Sequence, residues 1–246
     1  MKDIAQDSPF LDLPVDLSER QIVILDGLRY SAQMANFAYD RLWHVLQRID
    51  TDLDGASWVD TSEAALFAWS IVDAAHRFRL LLEGLPGLKQ DTWCKFAVKY
   101  LNEAEAYRHG WQHQQSEAPK VVERRSQAFG SIGWVKHEDG KPTGRWFFAT
   151  AGHDLKGAQW WAGPAAAIPG VGSRRVRILY GQEEPLYLGR LVRVMNGAVG
   201  KLEEQLANGS VRLRGDRVNA KRTRDPMMEM GIEVLMAVRK PNDHQD

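Results

Sequence analysis

Residues 101–115, LNEAEAYRHGWQHQQ, decide how this chain is divided. They close a run of helical pattern, and beyond them the spacing of the apolar residues changes. Trp93, Phe96, Tyr100, Ala104, Tyr107 and Trp111 recur every three or four residues, which puts them on one face of a helix. A helix is therefore expected over residues 91–115, with Ala118 and Pro119 at its end. Inside it Tyr107, Arg108, His109, Gly110, Trp111 and His113 follow one another closely, and no other stretch gathers as much chemistry.

Toward the N-terminus the pattern stays helical. Leu25, Leu28, Ala32, Ala35, Tyr39, Leu42, Leu46 and Ile49 share a face of a helix opened by Asp16 or Ser18. Residues 50–57, DTDLDGAS, end it. They open like a calcium loop, but the late glutamate is misplaced, so they read as an acidic loop. Asp60 and Glu63 carry a capping-box signature for the next helix. One stripe of that helix is Ala64, Phe67, Ile71, Ala74, Phe78 and Leu81. Its other side holds Trp69, Val72 and Leu80 beside Asp73 and His76. A helix apolar on two sides is central or lies at a subunit interface. Asp73 and Arg77, four apart, make a helical ion pair. Gly84, Pro86 and Gly87 stop the helix. Residues 1–17 are acidic and punctuated by proline, an arm laid on the domain.

Toward the C-terminus the period becomes two. Strands are expected near 131–136, 144–151 and 174–180, the first two around an Asp139-Gly140 turn. Trp134, Phe147 and Tyr180 need cover, so the strands should form one antiparallel unit packed on the helices. Pro185 suits the first position of a further helix, with Leu188, Leu191, Met195, Ala198, Leu202 and Leu206 as its stripe and Gly209 as its stop. In the tail, residues 227–241 read as a strand or a helix: Met, Glu and Ala favour helix, and the run 231–238 favours the strand taken here. The expected class is α+β, mainly α: an antiparallel four-helix bundle of residues 18–118 and 184–208. A β-rich subdomain, 126–183, is inserted between the third and fourth helices, with an arm at 1–17 and a basic mixed tail at 209–246.

Composition narrows the function classes. The 246 residues hold 32 cationic and 32 anionic side chains, a net charge of zero, and 44% apolar residues, ample for a core. No run approaches the roughly 20 apolar residues of a membrane helix, and the N-terminus has no apolar signal region. Cys94 is the single cysteine, so neither an internal disulfide nor a cysteine metal knuckle can form. A reducing, cytoplasmic setting is the simplest reading. No P-loop, Rossmann glycine pattern or nucleophile elbow occurs.

Arg108-His109-Gly110-Trp111-Gln112-His113 is an R-x4-H motif late in the third helix. In this it resembles the HEPN superfamily of small helical domains, many of them metal-independent ribonucleases. The likeness spans the four helices and not the sheet or tail. It implies that Arg108 binds the scissile phosphate, that His113 handles protons, and that His109 is a supporting polar group. The chemistry is coherent. Attack by a ribose 2′-hydroxyl needs a proton acceptor, a proton donor and a fixed charge at the phosphate. Histidine titrates near neutrality, and arginine contacts phosphate bidentately. No metal or cofactor is required.

Positions five apart on an ideal helix differ by about 140°. Arg108 and His113 therefore cannot converge from one straight helix, and pairing across a two-fold axis resolves this. Gly110 would permit the close helix approach. The expectation is a homodimer with an RNA substrate, an antitoxin or regulatory protein as partner, and no membrane. The activity expected is metal-independent RNA endonuclease in a toxin–antitoxin or defence system.

Two other readings stand beside it. One is a non-catalytic HEPN-like binding or regulatory module. The other is a metal-binding helical bundle, because His109 and His113 lie one turn apart and form half a site. Glu103 and Glu105 are out of register with that face. In the tail Arg212, Arg214, Arg217, Lys221, Arg222 and Arg224 could contact RNA phosphates. The same run also reads as a solvated face or a protected edge strand. A second R-x4-H, Arg239 to His244, lies near the C-terminus. Trp111 reads as a core ring more readily than as a base-stacking one.

Overall fold

Ser18 caps the first helix through a full capping box with Gln21, and α1 (Glu19–Thr51) follows without interruption. The computed structural model describes residues 8–14, 17–52, 56–123, 128–138, 141–150, 176–180 and 184–208. After α1 come α2 (Trp58–Gly84), α3 (Thr92–Leu101), α4 (Glu103–Gln112) and α5 (Gln114–Glu123). Then follow β1 (Ser131–Glu138), β2 (Lys141–Thr150), β3 (Val176–Leu179), β4 (Leu186–Tyr187) and α6 (Leu188–Ala207). The chain is α+β and mainly helical, with one small antiparallel sheet.

The α1 stripe read from the sequence is buried along its whole length. α1 and α2 form an antiparallel pair. Near one end Arg48 reaches Asp60 at 2.7 Å and Glu63 at 2.6 Å. Near the other end Gly27 faces Leu81 and Gly84 faces Ile24. α6 packs on α1, α2 and α3, and Asn36 and Asn196 exchange a 2.9 Å hydrogen bond between α1 and α6. Helix α2 is apolar on two sides because α1 covers one and α4 and α6 cover others. Its pattern is that of a central helix.

Several boundaries differ from the sequence reading. The capping box of α2 is Ser57 with Asp60, three residues before the expected one. Hydrogen bonds from Ser57 and then Arg48 hold the Asp60 carboxyl down at about 2. The single helix expected over 91–115 is three consecutive segments. Asn102 keeps a right-handed helical backbone, but the Glu105 N–H bonds to the carbonyl three residues back, which tightens the turn there. At His113 the backbone leaves the helix, with φ −108° and ψ 36°. Pro119 does not end the helical run, since α5 passes through it to Glu123. On an exposed segment the ring costs one carbonyl its partner, and water can replace that partner.

The face of α3 is also rotated. Cys94, Ala97 and Leu101 are its buried residues, while Phe96 of the expected core stripe is 54% exposed. Burial pushes the Cys94 thiol up to about 11, so it remains a protonated packing group.

The sheet order is β2-β1-β3-β4, all antiparallel. Trp134 lies opposite Val176 and Ile132 opposite Ile178, and all four are buried. β1 and β2 pair out to Glu138 and Lys141, with a register shift between Val135 and His137. The three expected strands are present. The fourth, β4, is a correction: Leu186 and Tyr187 extend the sheet edge before the helix starts at Leu188. Pro185 therefore precedes an edge strand, a place that tolerates its missing N–H. Of the arm of the sequence reading, residues 8–14 and 17 are described. Phe10 and Leu17 join the core, and the Ser8 hydroxyl donates to Glu203 at 2.6 Å. Asp139-Gly140, the Phe147 side chain, Arg239 to His244 and the whole tail from 209 lie outside the described residues.

Candidate functional site

The face of α4 that carries Arg108 lies on α2. The Arg108 Nε donates to Asp73 Oδ1 at 2.8 Å, and Arg77 takes the other oxygen of Asp73 at 2.6 Å. One turn on, Arg79 reaches Glu83 at 3.0 Å on its own helix and Glu105 at 3.2 Å on α4. Two cations around one carboxylate thus stand next to two carboxylates around one cation. His76, 8% exposed, belongs to the same face of α2.

These surroundings set the charge states. Burial works against the Asp73 carboxylate, but hydrogen bonds from Arg108 and Arg77 outweigh it and hold the carboxyl below its usual range. Burial depresses His76, and the positive charges of Arg108 and Arg79 depress it further. Its imidazole is neutral near pH 7, and the buried Nδ1 has no hydrogen-bond partner among the described residues.

Arg108 is partly accessible, with its side chain 25% exposed. Asp73 binds only its Nε, so the two terminal nitrogens have no hydrogen-bond partner among the described residues. A guanidinium held by its inner nitrogen still offers a fork of donors to an incoming oxyanion.

The histidines of the motif sit differently. His109 and His113 are exposed, and their ring centroids are 4.5 Å apart. Among the described residues no hydrogen bond or ion pair joins Arg108 to His113. Within one chain Arg108 is tied to Asp73 of α2, and the rings of His109 and His113 meet each other. Among the described residues no group of three His, Cys, Asp or Glu side chains is placed to hold a metal ion. The six basic tail residues, Arg212, Arg214, Arg217, Lys221, Arg222 and Arg224, lie outside the described residues.

Gly110 and Trp111 fasten α4 to the rest of the fold. The Tyr180 hydroxyl donates to the Gly110 carbonyl at 3.1 Å, and a Cβ on Gly110 would lie 2.9 Å from the Tyr180 ring. The close approach that Gly110 permits is therefore made by a ring from the end of β3. The sequence reading had assigned that space to a second helix. Trp111 stacks on Trp69 at 5.1 Å and 11°, and Tyr180 meets Trp69 edge-on at 5.3 Å. The Trp69 N–H donates to the Phe129 carbonyl at 3.1 Å. Tyr107 adds a hydrogen bond to the Glu184 carbonyl, and burial pushes its phenol pKa upward.

Sequence reasoning saw Asp73 only as the partner of Arg77, and His76 only as a polar residue on an apolar helix. The available signal was that α2 placed an acid, an imidazole and two arginines, Arg77 and Arg79, within two turns of an otherwise apolar segment. In comparisons with known proteins the chain matches no family model, no curated protein and no solved structure.

Proposed function

We propose that this protein is a HEPN-like, metal-independent RNA endonuclease of the toxin–antitoxin or defence type. In this reading α1, α2, the α3–α5 run and α6 are the four helical positions of such a domain. Arg108 binds the scissile phosphate, His113 moves protons, and His109 supports it. The observation that carries the reading is the state of Arg108: fixed to Asp73 by Nε and partly exposed, with neither terminal nitrogen hydrogen-bonded among the described residues.

Asp73 acts as a positioning residue. It orients the guanidinium before substrate arrives, so less conformational freedom is lost on binding. His113 lies at the exposed end of α4, where a second copy could bring it toward the Arg108 of the first. The composite site therefore requires a homodimer.

The test uses purified protein and a long single-stranded RNA in excess EDTA. Wild type should cleave it and leave 2′,3′-cyclic phosphate ends. Arg108→Ala and His113→Ala should each remove cleavage while keeping the wild-type helical circular-dichroism signal. Undiminished cleavage by His113→Ala, or loss of wild-type cleavage in EDTA, would overturn the mechanism.

A second reading is a non-catalytic binding or regulatory module with the same helices. What favours it is that Asp73 already partly neutralises Arg108 and that His76 is recessed beside it. Under this reading RNA stays intact and Arg108→Ala changes binding to a partner only.

A further inference from the structure

Trp93, Phe96 and Tyr100, expected on the core face of α3, instead line one wall of an open groove between α3 and α6 of about 500 Å³. That volume is within the range of about 300–1,000 Å³ typical of small-molecule sites. The rings are set in place. The Trp93 N–H donates to Asp91 at 3.2 Å, and the Phe96 and Tyr100 rings lie 4.3 Å apart. α6 forms the opposite wall, from Arg190 to Lys201, with Gly197 between them.

Gly197 needs explaining. A glycine inside a helix is unfavourable relative to alanine, and packing does not demand one here. A Cβ at 197 would meet nothing within 4 Å. What the glycine keeps is empty space opposite the rings. Aromatic rings on one side and a helix without a side chain at Gly197 on the other leave a slot with room for a flat ring.

Cations stand at both ends of the slot. The Arg190 guanidinium lies 4.0 Å from the Tyr100 ring centroid, and its carboxylate partner Glu103 is 3.7 Å away. Lys201 marks the other end, paired with Glu204 on the exposed side of α6. Arg193 lines the same wall. A planar ring that also carries an anion would satisfy both features. Base–aromatic stacking tolerates any base, and arginine is suited to a phosphate.

We propose that the α3–α6 groove binds a nucleoside monophosphate unit, its base between the Trp93–Phe96–Tyr100 wall and Gly197, its phosphate on Arg190. The site is independent of the ribonuclease reading, because none of its residues belongs to the Arg108 seam.

Isothermal titration of the full chain with adenosine 5′-monophosphate, adenosine and inorganic phosphate tests this. The monophosphate should bind at least tenfold more tightly than either fragment. Gly197→Leu should fill the slot and remove monophosphate binding, with a melting temperature equal to or above wild type. Arg190→Gln should weaken the monophosphate about tenfold and leave adenosine unchanged. An adenylate pentamer separates the two sources of this chemistry. Tighter binding of the pentamer, still dependent on Arg190 and Gly197, makes the nucleotide a unit of RNA; binding of the monophosphate alone makes it a free nucleotide. The proposal is overturned if the monophosphate binds no better than adenosine, or if Gly197→Leu binds it as wild type does.

Discussion

Asp73 on α2 and Arg108 on α4 are 35 residues apart in sequence and 2.8 Å apart in space. Because both side chains are about a quarter exposed, solvent screens the pair, and its contribution should be modest. Asp73→Ala should destabilise the chain by about 1 kcal/mol, since it also strips Arg77 of its partner. A double-mutant cycle with Arg108→Ala, read by urea denaturation, isolates the coupling. A coupling energy of zero would mean that the contact does not hold α4 to α2.

The same pair sets an acid limit. Asp73 has a folded pKa below the ordinary aspartate value of about 3.9. Its contribution is complete above that value and disappears as pH falls through the lower folded value. Asp73→Asn should therefore flatten the loss of stability at the acidic end, measured as melting temperature across a series of acid buffers. Parallel wild-type and variant curves would contradict this.

His76 acts at milder pH and with its own sign. Its folded pKa is lowered from the ordinary histidine value of about 6.5. At higher pH it is neutral whether the chain is folded or not. Below 6.5 the unfolded chain takes up the proton first, so folding weakens as pH falls toward the folded value. Arg108 and Arg79 oppose protonation there, and Glu105 and Asp73 favour it. His76→Gln should remove this slope below about pH 6.5. An unchanged slope would assign it to other groups.

Gly110→Ala tests the seat of Tyr180. The added methyl would lie 2.9 Å from a ring held by its own hydroxyl bond and by Trp69. Overpacking costs about 1–3 kcal/mol, and alanine returns up to about 1 kcal/mol of helix propensity. A net loss of about 1 kcal/mol by chemical denaturation is expected. A more stable variant would show that the ring moves aside freely.

Trp69→Ala and Trp111→Ala should differ. Trp69 is buried and holds two ring contacts and a carbonyl, so its loss should cost about 3–5 kcal/mol. Trp111 is only partly buried, and its loss should cost roughly half as much, mainly area and one stacked pair. Equal losses in thermal unfolding would mean that Trp111 is a full core residue.

What could be read from the sequence was whatever repeats. The α1 stripe from Leu25 to Ile49, the α6 stripe from Leu188 to Leu206, and the alternation through Trp134 and Ile178 all carry their own period. Relations across the chain were hidden. Nothing near Gly110 shows that a tyrosine 70 residues later will press on it. Nothing near Arg108 announces Asp73. The two-residue strand β4 is too short to have a period, so Pro185 looked like a helix start. In α3 small side chains, Cys94 and Ala97, took the core face, and hydrophobicity alone favoured the larger rings beside them.

The N-terminal arm has a consequence for the order in which the chain is made. Ser8 and Phe10 emerge early in synthesis, but the carboxylate that receives Ser8 belongs to Glu203, near the end of α6. α1 and α2 can pair as soon as both have left the ribosome. The arm must wait until nearly two hundred more residues exist, 195 separating the two partners. Its docking through Ser8 therefore waits for α6, and a chain cut short before Glu203 would leave the Ser8 hydroxyl without that partner.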